Sequence, residues 1–214
     1  MLEIRKAGIG YDSKIIFSNV DFLLEEGKLG CITGQSGSGK TSLLRAILGF
    51  VPLLSGEILL NGSALTPQSA ETLRKDMAYV PQELALPAEW VKEMADIPFL
   101  LKSNKKLHSR MEKELPQVLE SLGLEDDILQ KRAREISGGQ RQRVMLAISM
   151  LLGKKLILVD EPTSALDADA CGKVLNLFRT TCKQGTMVLA VTHDPEFAQA
   201  ADRQIHLIDG HLVP

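Results

Sequence analysis

With 214 residues, 44% hydrophobic and 24% charged, the chain has the composition of one large globular domain or of a domain with an inserted lobe. A formal net charge of -2 argues against nucleic acid as the main partner, which would need a basic footprint. Its three cysteines (Cys31, Cys171, Cys182) form no CxxC pair and leave an odd count, and their apolar or helical context reads as free thiols in a reducing compartment; no zinc-type spacing is present.

The first residues include Glu3, Arg5 and Lys6 and no apolar core, so no secretory signal is expected. The longest apolar-rich runs, "AILGFVPLL" and "VMLAISMLLG", fall short of the roughly 20 residues that span a bilayer. Short β-rich runs, "MLEIRKAGIGY", "KIIFSNVDFLL" and "GKLGCIT", predict three strands, the last entering Gly34. A helix is predicted from Lys40 to Leu48, stopped by Gly49 with Pro52 beyond. "GEILLNG" and "MAYVPQ" predict two more strands. From about Glu83 to Glu135, β-branched residues thin out and Leu, Lys, Glu and Met dominate, which predicts an inserted helical lobe. Its basic stretches, Lys102 to Arg110 and Gln130 to Arg134, read as solvated helix faces. A helix from about Gly139 to Leu152, the strand "KLILVD", a helix through "DADACGKVLNLFRTTCK" and the strand "TMVLAVT" follow. The hairpin "QIHLIDGHLV", turning at Asp209-Gly210, comes last. Continuous apolar strands alternating with helices predict an α/β fold whose main sheet is parallel and covered on both faces.

The chemistry starts at "GQSGSGKT", Gly34 to Thr41. It meets the pattern GxxxxGK[ST] at Gly34, Gly39, Lys40 and Thr41, with a strand before and a helix after. The glycines let the backbone wrap so that N–H groups point at phosphate oxygens, and the helix adds its positive end. Lys40 would reach the β- and γ-phosphates, and the Thr41 hydroxyl would bind Mg²⁺. A dinucleotide loop is disfavoured because Ser42 stands where GxGxxG needs its third glycine.

Ligands of a parallel sheet sit at the carboxyl ends of its strands. "LILVDEP" ends in Asp160 and Glu161, suited respectively to holding Mg²⁺ and to activating a water in line with the γ-phosphate. "VTHDP" places His193 on the same edge, where it can bond the γ-phosphate or orient the water. Gln82 closes "AYVPQ" and can reach Mg²⁺ or water with its carbonyl. A second anion cradle stands at "EISGGQRQRV", where Ser137 and two glycines precede a long amphipathic segment. Why so small a chain should carry two such cradles is a question that the residues alone leave open.

Together, in this order, these elements resemble the ATP-binding cassette (ABC) ATPases over the whole chain. The resemblance implies an α/β P-loop NTPase core with a mainly parallel sheet, an N-terminal antiparallel β subdomain and an inserted helical subdomain. Residues 1–214 would be one ABC ATPase domain, with 1–82 and 141–214 as nucleotide-binding core and β subdomain. Residues 83–140 would be the helical subdomain that carries the signature "ISGGQ", Ile136 to Gln140. Ile136 departs from the usual leucine, an apolar exchange of equal volume that a packing role tolerates. Nucleotide binding would fall to Tyr11, stacking on adenine, and to Gly34, Gln35, Ser36, Gly37, Ser38, Gly39, Lys40, Thr41 and Ser42. Mg²⁺ would be held by Thr41, Gln82 and Asp160. Glu161, His193, Lys40 and Gln82 would serve catalysis, His193 as switch histidine and Gln82 as sensor. "SALD", Ser164 to Asp167, would connect two active sites. The second cradle would complete a partner's site: Ser137, Gly138, Gly139, Gln140 and Asp167 would meet the nucleotide of a facing subunit. An ATP-dependent homodimer, or a pair with a similar cassette, follows from that.

The helical lobe is the candidate handle. "LPAEWVKEMADIPFLLK" holds the only tryptophan, and Trp90 and Phe99 read either as anchors for a membrane permease docking near Gln82 to Leu101 or as the lobe's own core. One class is thus the ATPase subunit of a membrane transporter, cytoplasmic and held at the inner face of the membrane by separate spanning chains. The other is a soluble ABC ATPase driving a non-membrane assembly, such as iron–sulfur cluster assembly. The base rate of free-standing cassettes favours transport.

Overall fold

The computed structural model describes residues 1–11, 14–83, 88–208 and 210–213, with Tyr11 and Lys14 described by backbone alone. In chain order the elements are β1 (Leu2–Tyr11), β2 (Lys14–Leu24), β3 (Leu29–Thr33), α1 (Lys40–Ile47), β4 (Ser55–Leu60), β5 (Ser63–Ala64), α2 (Ala70–Arg74) and β6 (Met77–Val80). After them come α3 (Val91–Leu100), α4 (His108–Ser121), α5 (Gly138–Leu151), β7 (Leu156–Asp160), α6 (Ala168–Lys183), β8 (Met187–Thr192), α7 (Pro195–Gln199), β9 (Arg203–Ile208) and β10 (His211–Val213).

Two sheets form, and hydrophobic patterning separates them. The antiparallel sheet runs β2-β1-β4-β5. In β1, Leu2 and Ile4 are buried while Arg5 is exposed, the alternation of a sheet with one wet face. The second sheet runs β10-β9-β3-β8-β7-β6; β9, β3, β8, β7 and β6 are parallel and β10 closes the edge antiparallel to β9. Every residue of β3, β7 and β8 is buried, as their unbroken apolar runs require when both faces are covered.

Each face of that sheet feeds its own core. Leu156, Leu158, Met187, Leu189 and Val191 point one way and pack with Leu43, Leu44 and Ile47 of α1 and with Ile4, Phe17 and Phe22 of the antiparallel sheet. Ile157, Val159, Val188 and Ala190 point the other way and pack with Val144 and Ile148 of α5 and Val174 and Phe178 of α6. Met94, Phe99, Met111 and Leu115 of α3 and α4 extend this second core. Phe99 is fully buried there, so of its two expected roles the structure assigns it to the core, while Trp90 is 37% exposed. Trp90 carries the Arg132 guanidinium over its ring, 5.2 Å from the centroid.

Register sets the functional edge. Parallel pairing matches Thr33 with Thr192, Asp160 with Val191 and Val80 with Val159, so β3, β8, β7 and β6 end side by side. The expected strands and long helices are all present. The short elements β5, α2 and α7 were not anticipated, because two to five residues are too few to display a period. Asp209 of the expected hairpin turn lies outside the described residues, whereas Gly210 lies within them. Helix α5 starts at Gly138, one residue ahead of expectation, because Ser137 caps it: its hydroxyl accepts from the Gln140 N–H at 3.1 Å, and Gln140 Oε1 accepts from the Ser137 N–H at 2.8 Å.

Leu158 is fully buried at the centre of the first core. Leu158→Ala is expected to destabilise the fold by about 2–5 kcal/mol in chemical denaturation.

Candidate nucleotide site

The carboxyl edge of the parallel sheet opens into a cleft of about 1230 Å³ lined by Gly34 through Ser42 together with Gln82, Asp160, Glu161 and His193. Four separate stretches predicted from sequence therefore meet at one place. The far wall, Ile15 and Ile16 of β2 and His206 to Ile208 of β9, was not anticipated. Of Tyr11 only the backbone is described, so its proposed side-chain stacking lies outside the described residues.

The loop Gly34–Gly39 approaches its surroundings more closely than a side chain allows. A Cβ at Gly34 would stand 2.7 Å from the Leu207 carbonyl oxygen. Gly39 has φ +102°, and a Cβ there would meet Ile16 at 2.4 Å. Helix α1 starts at once, with no side-chain cap. The N–H groups of its first turn have no intrahelical partner, which leaves the loop suited to anionic oxygens. The Ser38 hydroxyl is buried beside it without a hydrogen-bond partner among the described residues.

Lys40 is 7% exposed and its ammonium donates to the carbonyls of Gly34 at 2.8 Å and Gln35 at 3.2 Å, with Glu161 Oε1 at 3.6 Å. Glu161, 6% exposed, takes up the left-handed backbone at φ +50° directly after β7. Its Oε2 accepts from the Thr192 hydroxyl at 3.0 Å and the His193 N–H at 3.3 Å, and lies 2.9 Å from His193 Nδ1. A carboxylate only accepts, so in a bond to the Glu161 carboxylate His193 Nδ1 is the donor.

Asp160 accepts from the Thr41 hydroxyl at 2.8 Å and from the Tyr79 hydroxyl at 3.4 Å, both on Oδ2, while its buried Oδ1 has no partner among the described residues. Burial first, then the Glu161 charge, push the Asp160 carboxyl above its ordinary range, while the Thr41 and Tyr79 hydroxyls and Lys40 pull it down. Burial, reinforced by Asp160, pushes the Tyr79 hydroxyl up to about 12. A hydroxyl beside a carboxylate whose second oxygen is free to donate a lone pair is a ligand set that would fit a hard cation such as Mg²⁺. Tyr79 and Thr192 were missed: each lies inside an apolar strand run, where its polar end shows only once the register is known.

The thiols stand apart from this chemistry. Burial pushes Cys31 up to about 12 and Cys182 up to about 11, which leaves both poor nucleophiles.

The second glycine pair does not join the cleft. Ser137 and Gly138 are exposed at the start of α5, and neither they nor Gly139, Gln140 and Asp167 line the pocket around Lys40. Gly139 is needed for packing within its own chain, since a Cβ there would stand 2.5 Å from the Ala165 carbonyl oxygen. Gln140 is occupied in the α5 cap, and Asp167 caps α6 by accepting from the Ala170 N–H at 2.8 Å.

The family model described as "ABC transporter" matches residues 17–164. The chain belongs to the ABC transporter family. Among relatives, it is 30% identical over 214 residues to the ATP-binding protein HrtA of Staphylococcus aureus (strain MRSA252), named for hemin import, covering 98% of this chain and 96% of that one. It is 36% identical over 217 residues to the macrolide export ATP-binding/permease protein MacB of Marinobacter nauticus, covering 98% of this chain but only 33% of that protein. Among solved structures, an ATP-binding subunit of an ABC transporter superposes with TM-score 0.88 at 26% identity, covering 99% of this chain and 88% of that one. The bacterial ABC transporter cassette MJ0796, solved as a dimer, superposes with TM-score 0.85 at 27% identity over 100% of this chain and 97% of that one. A further MJ0796 dimer, with the same score and coverage, holds ADP and phosphate after hydrolysis. This ABC protein is accordingly an ATP-binding ATPase.

Because its carboxyl is raised, Asp160 holds a proton more tightly in the fold than in the unfolded chain. Its ionisation therefore removes stability as pH rises from the ordinary carboxylate range through the raised value, and the loss persists at neutral pH. Asp160→Asn is expected to stabilise the nucleotide-free protein at pH 7 by about 1 kcal/mol. The gain should shrink as pH falls toward about 4, which a thermal-melt series across pH will read.

Proposed function

We propose that the chain is the ATP-hydrolysing subunit of a membrane transporter, dimerising head to tail around two Mg-ATP to drive separate membrane-spanning chains. The observation that carries this reading is a division of labour within one chain. The residues for phosphate, metal and water activation converge in one cleft, while Ser137 and Gly138, at the head of the second glycine pair, stay exposed and apart from it.

In the cleft, the α1 N–H groups and Lys40 bind the β- and γ-phosphates, with the γ-phosphate taking over the ammonium from the loop carbonyls. Thr41, Asp160 and Gln82 would hold Mg²⁺, which when bound neutralises charge on the phosphates. Glu161 acts as general base toward a water, and His193, held through Nδ1, turns Nε2 toward the γ-phosphate. Tyr11 stacks on adenine. Ser137, Gly138, Gly139, Gln140 and Asp167 complete the nucleotide site of the facing subunit. The γ-phosphate then bridges two protomers, and hydrolysis removes the bridge.

Residues 83–140 form the helical subdomain through which the motor pulls; residues 1–82 and 141–214 form its core and β subdomain. Trp90, Ile97, Leu100 and Leu101 are exposed, and they supply the apolar face on which a permease would dock. No helix among the described residues is long and apolar enough to cross a membrane, and in the relative MacB the ATP-binding and permease parts share a name and a chain. The protein would thus work on the cytoplasmic side, held by its permease. HrtA and MacB are named for different cargoes, in keeping with cargo choice residing in the spanning subunits.

Glu161→Gln is expected to lower hydrolysis by about 10²–10⁴-fold while keeping ATP binding, and to trap a dimer with Mg-ATP in size-exclusion chromatography. Adding Ser137→Arg should return the trapped species to a monomer that still binds nucleotide. A Glu161→Gln variant that stays monomeric at saturating ATP refutes the shared site. Pull-down of tagged Glu161→Gln from detergent-solubilised cells should bring down a polytopic membrane protein; a soluble assembly complex in its place refutes the transport reading.

A further inference from the structure

Glu161 sits where a residue with a Cβ rarely sits, at φ +50°, and such a backbone persists only when its surroundings over-determine it. Three holds are visible. The Glu161 N–H donates to the Val191 carbonyl at 2.8 Å. Its carbonyl accepts from the Ser164 hydroxyl at 3.2 Å within the same turn. The third comes from a different element: Gln142 Nε2, on α5, donates to that same carbonyl at 2.7 Å.

Gln142 is 4% exposed, and its own Oε1 is buried without a partner among the described residues. A glutamine kept only for packing would be better replaced by an apolar side chain of equal length, since its unmet oxygen is a cost to the fold. What the amide supplies is a single directed donor to the backbone of Glu161. Gln142 stands three residues after Gly139, whose backbone lies against Ala165 too closely to admit a Cβ. The start of α5 is therefore in rigid contact with the loop after Glu161 and hydrogen-bonded to Glu161 itself.

We propose that Gln142 is a positioning residue for ATP hydrolysis, fixing the backbone of the general base of its own chain to the helix that reaches the partner's nucleotide. This rests on the head-to-tail reading above. In such a dimer, a shift of α5 caused by the nucleotide at its start moves the carbonyl of Glu161 in the other site. The partner's occupancy thereby sets the aim of the base.

Gln142→Met keeps length and volume and removes both the donor and the unmet oxygen. The variant is expected to melt at or above the parent temperature, with KM for ATP unchanged and kcat lowered about tenfold, since a misaimed base raises the barrier without touching nucleotide contacts. A purely structural glutamine would show the reverse, a lowered melting temperature with kcat kept.

Mixed dimers with two affinity tags locate the effect. One chain carries Glu161→Gln, so that only the other chain's Glu161 can turn over. Gln142→Met on the chain with intact Glu161 is expected to cost about tenfold, and the same substitution on the Glu161→Gln chain to cost nothing. Equal losses in both placements, or no loss in the first, overturn the proposal. Failure of the Glu161→Gln protein to form any ATP-dependent dimer overturns the dimer reading, a result that is visible before Gln142 is changed.

Discussion

Two opposite charges, the Lys40 ammonium and the Glu161 carboxylate, lie 3.6 Å apart with less than a tenth of either exposed. Burying such a pair is tolerable only when the remaining protons and lone pairs also find partners, and losing either member would strand the other. The rest of the edge can be understood as meeting that requirement. Lys40 takes the carbonyls of Gly34 and Gln35, which obliges the loop to fold back on its helix. Glu161 takes the Thr192 hydroxyl and the His193 backbone and ring, which obliges β7 and β8 to end in step. In the proposed cycle an arriving phosphate competes for the same ammonium, so binding substrate and freeing the base become one event.

Much of this was legible in the residues because the chemistry is local. The run from Gly34 to Thr41 encodes its own turn and helix start, and the acids of "VDEP" follow an apolar strand whose end must reach the sheet edge. The long helices and buried strands were equally readable, since each shows its period several times over. What stayed hidden depends on register between distant segments. Tyr79 meets Asp160, and Thr192 meets Glu161, only because β6, β7 and β8 are parallel neighbours. Gln142 looked like one more residue of an amphipathic helix, and its bond crosses to another element. Phe99 illustrates the opposite ambiguity: composition cannot tell an interface aromatic from a core one, and packing against the helical segment decides it.

The two cores divide tasks as well as space. One anchors α1, and through it the phosphate loop, to the antiparallel sheet. The other binds α5 and α6 to the opposite face and carries α3 and α4 outward. Among the described residues the layer common to both is the sheet itself, fully buried in β3, β7 and β8. A displacement on the helical side must therefore pass through strand ends to be felt at the phosphate loop, and Glu161 occupies one of those ends.

The cap on α5 carries a consequence for the exposed Ser137. Its oxygen already accepts from the Gln140 N–H, but a hydroxyl that accepts still has a proton to give. In the proposed dimer, an anion arriving at this helix start could accept a hydrogen bond from that hydroxyl while the cap remains closed. Recognition there would then need no unwinding of the helix start.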